Sequence, residues 1–209
     1  MASSARASTA RFGASTEDLV AARRLSPSAP ALTHAAGEVN FVYTGASGPV
    51  TPHALSVLFE ALRLFRARQS ERAARLRFHF LGTSYVAIGE GRPSVMPLAE
   101  KFGVADLVKE IPHRLGHLEC LRLQEQADVL LLPGSSDPAY SPSKTYPYFI
   151  TGRPMLGLVF AGSVLDDGNG TTAITAGTLN LTAGGAIGTS GSRVSTNAST
   201  ISANAASGG

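Results

Sequence analysis

The sequence predicts an α/β protein built on a doubly wound parallel sheet, followed by a tail of different make-up. Three observations predict it. Short β-prone runs alternate with amphipathic helical runs between about residues 39 and 160. One run, Val129-Leu130-Leu131-Leu132, is apolar throughout, as a strand covered on both faces would be. Beyond Ala161 the ionisable side chains are Asp166, Asp167 and Arg193, in a background of Gly, Ala, Ser, Thr and Asn.

In chain order, residues 1–38 are rich in Ala, Ser, Pro and Arg and read as a leader or linker. One short helical stretch is predicted within them, near Glu17 to Arg24. Val39 to Thr44 is the first strand. Thr51 can cap the next helix and Pro52 suits its first turn. Leu55, Leu58, Phe59, Leu62 and Phe65 then form one apolar helical face. Leu76 to Leu81 is the second strand, a helix follows around Val95 to Phe102, and Val108 to Ile111 is the third strand. Gly116 to Ala127 reads as a helix and Val129 to Leu132 as the fourth strand. Ser141-Pro142 opens a further helix that ends at Gly152, and Pro154 to Phe160 is the fifth strand. Strands joined through helices make parallel neighbours, with right-handed crossovers. The tail, residues 161–209, is expected to be irregular or β-rich. Leu179, Leu181 and Ala183 alternate within it as one strand face would.

The charge balance, formally +3 over 209 residues, does not single out a nucleic-acid binder. The lone cysteine, Cys120, excludes an intrachain disulfide and reads as a half-buried structural thiol. No apolar run has the length of a membrane span, and residues 1–11 hold no hydrophobic stretch, so the expected compartment is the cytoplasm. His53, His79 and His117 have no metal-ligand spacing, and no metal site or cofactor is expected. Glu110 and Asp137 are not spaced as an acid/base pair, and no catalytic residue is assigned.

In a doubly wound sheet, ligands sit at the carboxyl ends of the strands beside the point where strand order reverses. The loop Gly45-Ala46-Ser47-Gly48 after the first strand lets backbone amides come close to a ligand; a plain strand-to-helix turn explains it equally well. Gly82 and Thr83 close the second strand, and His113 and Arg114 follow the third, where a base or ribose could lie. The run Ser135-Ser136-Asp137, then Tyr140-Ser141, then Ser143-Lys144-Thr145 follows the fourth strand. With Ser141 as N-cap, the next amides would be free donors beside the Lys144 charge, which is a seat for a diphosphate.

Several of these stretches resemble the C-terminal domain of retaining GT-B glycosyltransferases of the family-four type. They are Phe41-Val-Tyr-Thr-Gly, Phe80-Leu-Gly-Thr, Asp128-Val-Leu-Leu-Leu-Pro-Gly-Ser and, most specifically, the run from Ser141-Pro-Ser-Lys through Gly152-Arg-Pro-Met-Leu. The resemblance covers residues 39–160. It implies a Rossmann-like domain, one half of a GT-B fold, that binds a nucleotide-diphosphate sugar as substrate. It implies metal-independent transfer to a carbohydrate or lipid-linked acceptor held by a second domain. The family's basic residues after the first strand fall here on Ala46 and near Thr51, and its paired glutamates on Ala139 and Pro147. The 38 residues before the first strand are too few for the second domain. The chain is therefore expected to be a fusion or truncation product that is incomplete for catalysis, the alternative being a non-catalytic nucleotide- or partner-binding module. The tail resembles filamentous-haemagglutinin or autotransporter passenger repeats, which implies a β-helix rung.

Overall fold

The structure, a computed structural model, describes residues 13–25, 32, 35–47, 51–134, 143–158, 174–183 and 196–205. Five strands form one parallel sheet in the order β3-β2-β1-β4-β5. They are β1 (Val39–Thr44), β2 (Leu76–Leu81), β3 (Val108–Ile111), β4 (Val129–Pro133) and β5 (Met155–Leu158). Val39 pairs in parallel with Leu76 and Phe41 with Val129, so β1 is central, and strand order reverses between β1 and β4.

Alternation along β1 and β2 separates two cores. Phe41, Tyr43, Phe78 and Phe80 project to one face, where α2 (Pro52–Arg68) and α4 (Met96–Lys101) cover them. Phe41 stacks on Phe78 with ring centroids 4.7 Å apart, and Phe59 of α2 meets Phe80 edge-on at 6.0 Å. The predicted α2 face is present: Leu55, Leu58, Phe59 and Leu62 are buried, and Phe65 is half-buried. A short α3 (Ser70–Ala73) leads into β2. Val42, Leu81 and Leu130 point to the other face, with Leu123 of α5 (His117–Gln126) and Tyr148 of α6 (Thr145–Thr151).

Two features differ from the sequence reading. The stretch read as leader or linker holds a packed helix, α1 (Thr16–Leu25), whose Leu19 and Ala22 are buried against Leu121. Arg23 pairs with Glu125 and Asp18 with His117, so α1 runs parallel to α5. Next, α6 begins at Thr145, with Lys144 at its N-cap, rather than at Pro142. Pro147 explains the later start. It lacks an N–H, which costs nothing at the third helical position but would break a helical bond deeper in a helix begun at Pro142. Gly152 then closes α6 with φ +67°, the left-handed cap that glycine adopts without strain. In the tail, expected to be irregular or β-rich, β6 (Ile174–Ala183) and β7 (Thr196–Ala205) form a separate parallel pair. Partners differ by a constant 22 positions, from Ile174↔Thr196 to Ala183↔Ala205. The backbone of β6 also comes close to β5 and α6.

Candidate functional site

The carboxyl ends of β1, β2 and β3 are tied into one surface by main-chain bonds that continue the sheet into its loops. Gly45 N–H donates to Leu81 O at 2.7 Å and Ser47 N–H to Thr83 O at 2.8 Å. Gly82 N–H donates to Ile111 O at 2.8 Å, and the main chain of His113 and Leu115 passes close to Gly82. Of the predicted residues, Gly45, Ala46, Ser47, Gly82, Thr83, His113 and Arg114 are therefore brought to one end of the sheet. Ser143, Lys144 and Thr145 lie in the turn and first position of α6. Gly48, Ser135, Ser136, Asp137, Tyr140 and Ser141 lie outside the described residues.

Lys144 crosses from α6 to the loop after β1. Gly45 has φ +124°, and a Cβ built on it would lie 2.3 Å from Lys144 Cε and 2.8 Å from its Nζ. The lysine chain thus occupies the space a side chain at position 45 would fill. Its ammonium stands 5.1 Å from the centre of the Tyr43 ring, in cation–π range. Tyr43 is fixed in turn, its hydroxyl donating to Ala46 O at 2.7 Å. Burial lowers the Lys144 pKa, and no carboxylate pairs with Lys144 among the described residues. A half-buried cation without an anion is costly unless an anion arrives.

Beneath this point the last residue of β1 is clamped by both helices of that face. Thr44 N–H donates to the Tyr148 hydroxyl at 3.3 Å, and Gln124 Nε2 donates to Thr44 Oγ1 at 2.7 Å. Gln124 is 4% exposed, and its Oε1 has no hydrogen-bond partner among the described residues. Cys120, one helical turn before Gln124, has its thiol pKa pushed up to about 11. Burial is the main cause, Glu119 adds to it, and Lys144 and Arg114 partly offset it. Sequence reasoning missed Tyr43, Gln124 and Tyr148. Their signal was weak: Gln124 is one of several polar residues in α5, Tyr43 is the one tyrosine of β1, and Tyr148 is one of two in α6.

Two residues weighed for chemistry are structural. Glu110 accepts from the amides of Ser94, Val95 and Met96 at 2.8, 3.0 and 2.8 Å, and from Thr83 Oγ1 at 2.6 Å. It caps α4 from within β3. His79 shares a 2.8 Å hydrogen bond with Asn40 Oδ1, and Asn40 N–H donates to Asp128 Oδ2 at 2.8 Å, which locks the entry of β1 against β4. Among the described residues no His, Cys, Asp or Glu cluster could hold a metal ion, and no helix is long and apolar enough to cross a membrane.

No family model matches the chain, and no curated protein matches it. Among solved structures it is similar to the crystal structure of WaaG, a glycosyltransferase involved in lipopolysaccharide biosynthesis. Identity is 17%, the match covers 71% of this chain and 34% of that one, and the TM-score is 0.44. The chain spans about a third of that protein's length. A likeness this loose carries no residue correspondences.

Proposed function

We propose that the α/β unit is a Rossmann-like nucleotide-sugar-binding unit of glycosyltransferase type, which takes the donor diphosphate at the crevice between β1 and β4. The observation that carries this reading is Lys144: a desolvated ammonium, lacking a carboxylate partner among the described residues, laid against the side-chain-free Gly45 beside the switch point. A diphosphate there would supply the missing negative charge. Amides of the loop after β1 would approach it closely, and the Lys144 ammonium would donate charge-assisted hydrogen bonds. On this reading His113, Arg114, Gly82 and Thr83 border the nucleoside, and Ser143 and Thr145 lie with Lys144 at the diphosphate. Transfer to a carbohydrate or lipid-linked acceptor would need a second domain to enclose the donor and exclude water. A second reading, a nucleotide- or partner-binding module without catalysis, is favoured by the neutral residues Ala46 and Thr51, where the resembled family carries basic ones. For the tail we propose a β-helix-like rung, supported by the parallel β6–β7 ladder at a constant offset of 22 residues.

Titration of uridine, guanosine and adenosine diphosphates into the wild type and Lys144→Ala tests the site. Losing one charge-assisted phosphate contact should weaken binding by about 1.5–3 kcal/mol, roughly ten- to a hundredfold. Equal affinity in both proteins removes Lys144 from the site. No binding by the wild type favours the partner-binding module.

A further inference from the structure

Three lysines occur in the chain, Lys101, Lys109 and Lys144, and they stand in different surroundings. Lys101 and Lys109 are exposed, whereas Lys144 is half-buried. Its aliphatic chain fills the space left by Gly45, and its ammonium lies 5.1 Å from the centre of the Tyr43 ring. Among the described residues no carboxylate pairs with it, and the neighbour that acts on its charge is the Cys120 thiol. Glu119 acts on that thiol too, but its carboxylate accepts from the Gly116 amide at 3.1 Å. Burial lowers the Lys144 pKa, so a larger share of it is the free amine than for a lysine at the ordinary 10.5.

These two properties combine at one atom. As an ammonium, Lys144 calls for an anion; as an amine relieved of its proton, it is a nucleophile. An acyl phosphate, the mixed anhydride of a carboxylic acid and phosphoric acid, answers both. Its phosphate suits the place of the donor diphosphate, and its activated carbonyl carbon is then held beside Nζ. The nearby Cys120 thiol competes little, because burial holds its pKa up at about 11 and leaves almost no thiolate near neutral pH.

We propose that Lys144 is a modification site, acylated by acyl phosphates whose phosphate takes the diphosphate seat, and that acylation closes the crevice to phosphate ligands. This rests on the diphosphate reading of the crevice. In the step, the Nζ lone pair attacks the acyl carbon. A C–N bond forms, the bond from that carbon to the phosphate oxygen breaks, and inorganic phosphate leaves with the electron pair. The surplus proton on nitrogen passes to water, and nothing is oxidised or reduced. The product is a neutral amide, so the cation set against Gly45 is lost. The test treats the full chain with acetyl phosphate at pH 8 and reads acetylation at each lysine by peptide mass spectrometry. Lys144 should react about tenfold or more faster than Lys101 and Lys109, which serve as internal controls. Pyrophosphate should slow the reaction at Lys144 alone. The acetyl ester of N-hydroxysuccinimide, which carries no phosphate, should show no such preference. Acetylated protein should bind pyrophosphate or nucleoside diphosphate roughly ten- to a hundredfold more weakly, as Lys144→Ala does. Reaction at Lys144 no faster than at the exposed lysines, an equal preference with the ester, no protection by pyrophosphate, or unchanged binding after acetylation overturns the proposal. If acetylation fails while the wild type still binds nucleoside diphosphate, the diphosphate reading stands. If pyrophosphate protects Lys144 but no nucleoside diphosphate binds, the modification site stands and the nucleotide reading falls.

Discussion

Lys144 and Gly45 make one device. The lysine reaches its place because position 45 carries no side chain, and φ +124° is a conformation that L-residues rarely hold. Gly45→Ala should therefore act twice. Backbone strain should lower stability by about 1–3 kcal/mol in urea unfolding. Expulsion of the Lys144 side chain should also weaken nucleoside diphosphate binding about as much as Lys144→Ala does; a Gly45→Ala protein with wild-type affinity would uncouple the two residues. The pH dependence has a definite sign. Burial lowers the folded-state pKa of Lys144 below the ordinary 10.5, so the unfolded chain holds that proton to higher pH. Its contribution to stability then rises with pH between the lowered value and 10.5, while phosphate binding falls over the same window as the ammonium discharges. Cys120 has the opposite sign. Its pKa moves from 9.0 to about 11, so its contribution falls as pH rises through that interval. At pH 8 the folded thiol should react with iodoacetamide about a hundredfold more slowly than the urea-unfolded one, through its smaller thiolate fraction alone. Equal rates would mean that Cys120 is more open to water than its packing implies.

At the scale of elements, helices and strands were legible where one periodicity ran long enough. The α2 face and the limits of β2 and β3 could be read directly from apolar spacing, and α4 and α5 to within their caps. What could not be read was reach across the chain. Glu110 looked like an unassigned carboxylate because the helix it caps begins fourteen positions earlier, at Met96. Replacing it with alanine would strand three helix-end amides and the Thr83 hydroxyl. Glu110→Ala should cost about 2–4 kcal/mol in urea unfolding, whereas Glu110→Gln, which keeps an acceptor, should cost less. A loss below about 0.5 kcal/mol would show that water serves the α4 amides equally well. The docking of α1 was equally hidden, since Leu19 and Ala22 are a thin apolar signal in a charged helix. The late start of α6 was legible in principle: Pro147 forbids the longer helix that the Ser141-Pro142 cap suggested.

For the molecule as a whole, alternating elements imply parallel pairing, but not which strand is central. The order β3-β2-β1-β4-β5 arises from packing on both faces, and that order decides which loops meet at the crevice. That the loops after β1 and β2 turn at the carboxyl end of the sheet was legible because glycines follow both strands. The clamp on Thr44 was not, because Gln124 and Tyr148 are distant in sequence and ordinary in type. The relation between sheet and tail was the least legible. The described apolar clusters all lie between Leu19 and Leu158, two on the faces of the five-stranded sheet and one among α1, α5 and α6. A two-stranded parallel ladder has no comparable means of support, since such sheets are covered on both faces or extended by further strands. Stability should therefore reside in the α/β unit. A chain ended after Ala161 should keep its cooperative unfolding transition and its midpoint temperature within about 5 °C, a change of about 1 kcal/mol for a domain of this size. Its urea m-value should drop only if β6 and β7 unfold together with the sheet in the full chain. The approach of β6 to β5 makes the opposite result meaningful. Loss of the transition on truncation would show that β6 covers an edge the sheet cannot leave open, making the tail part of the fold.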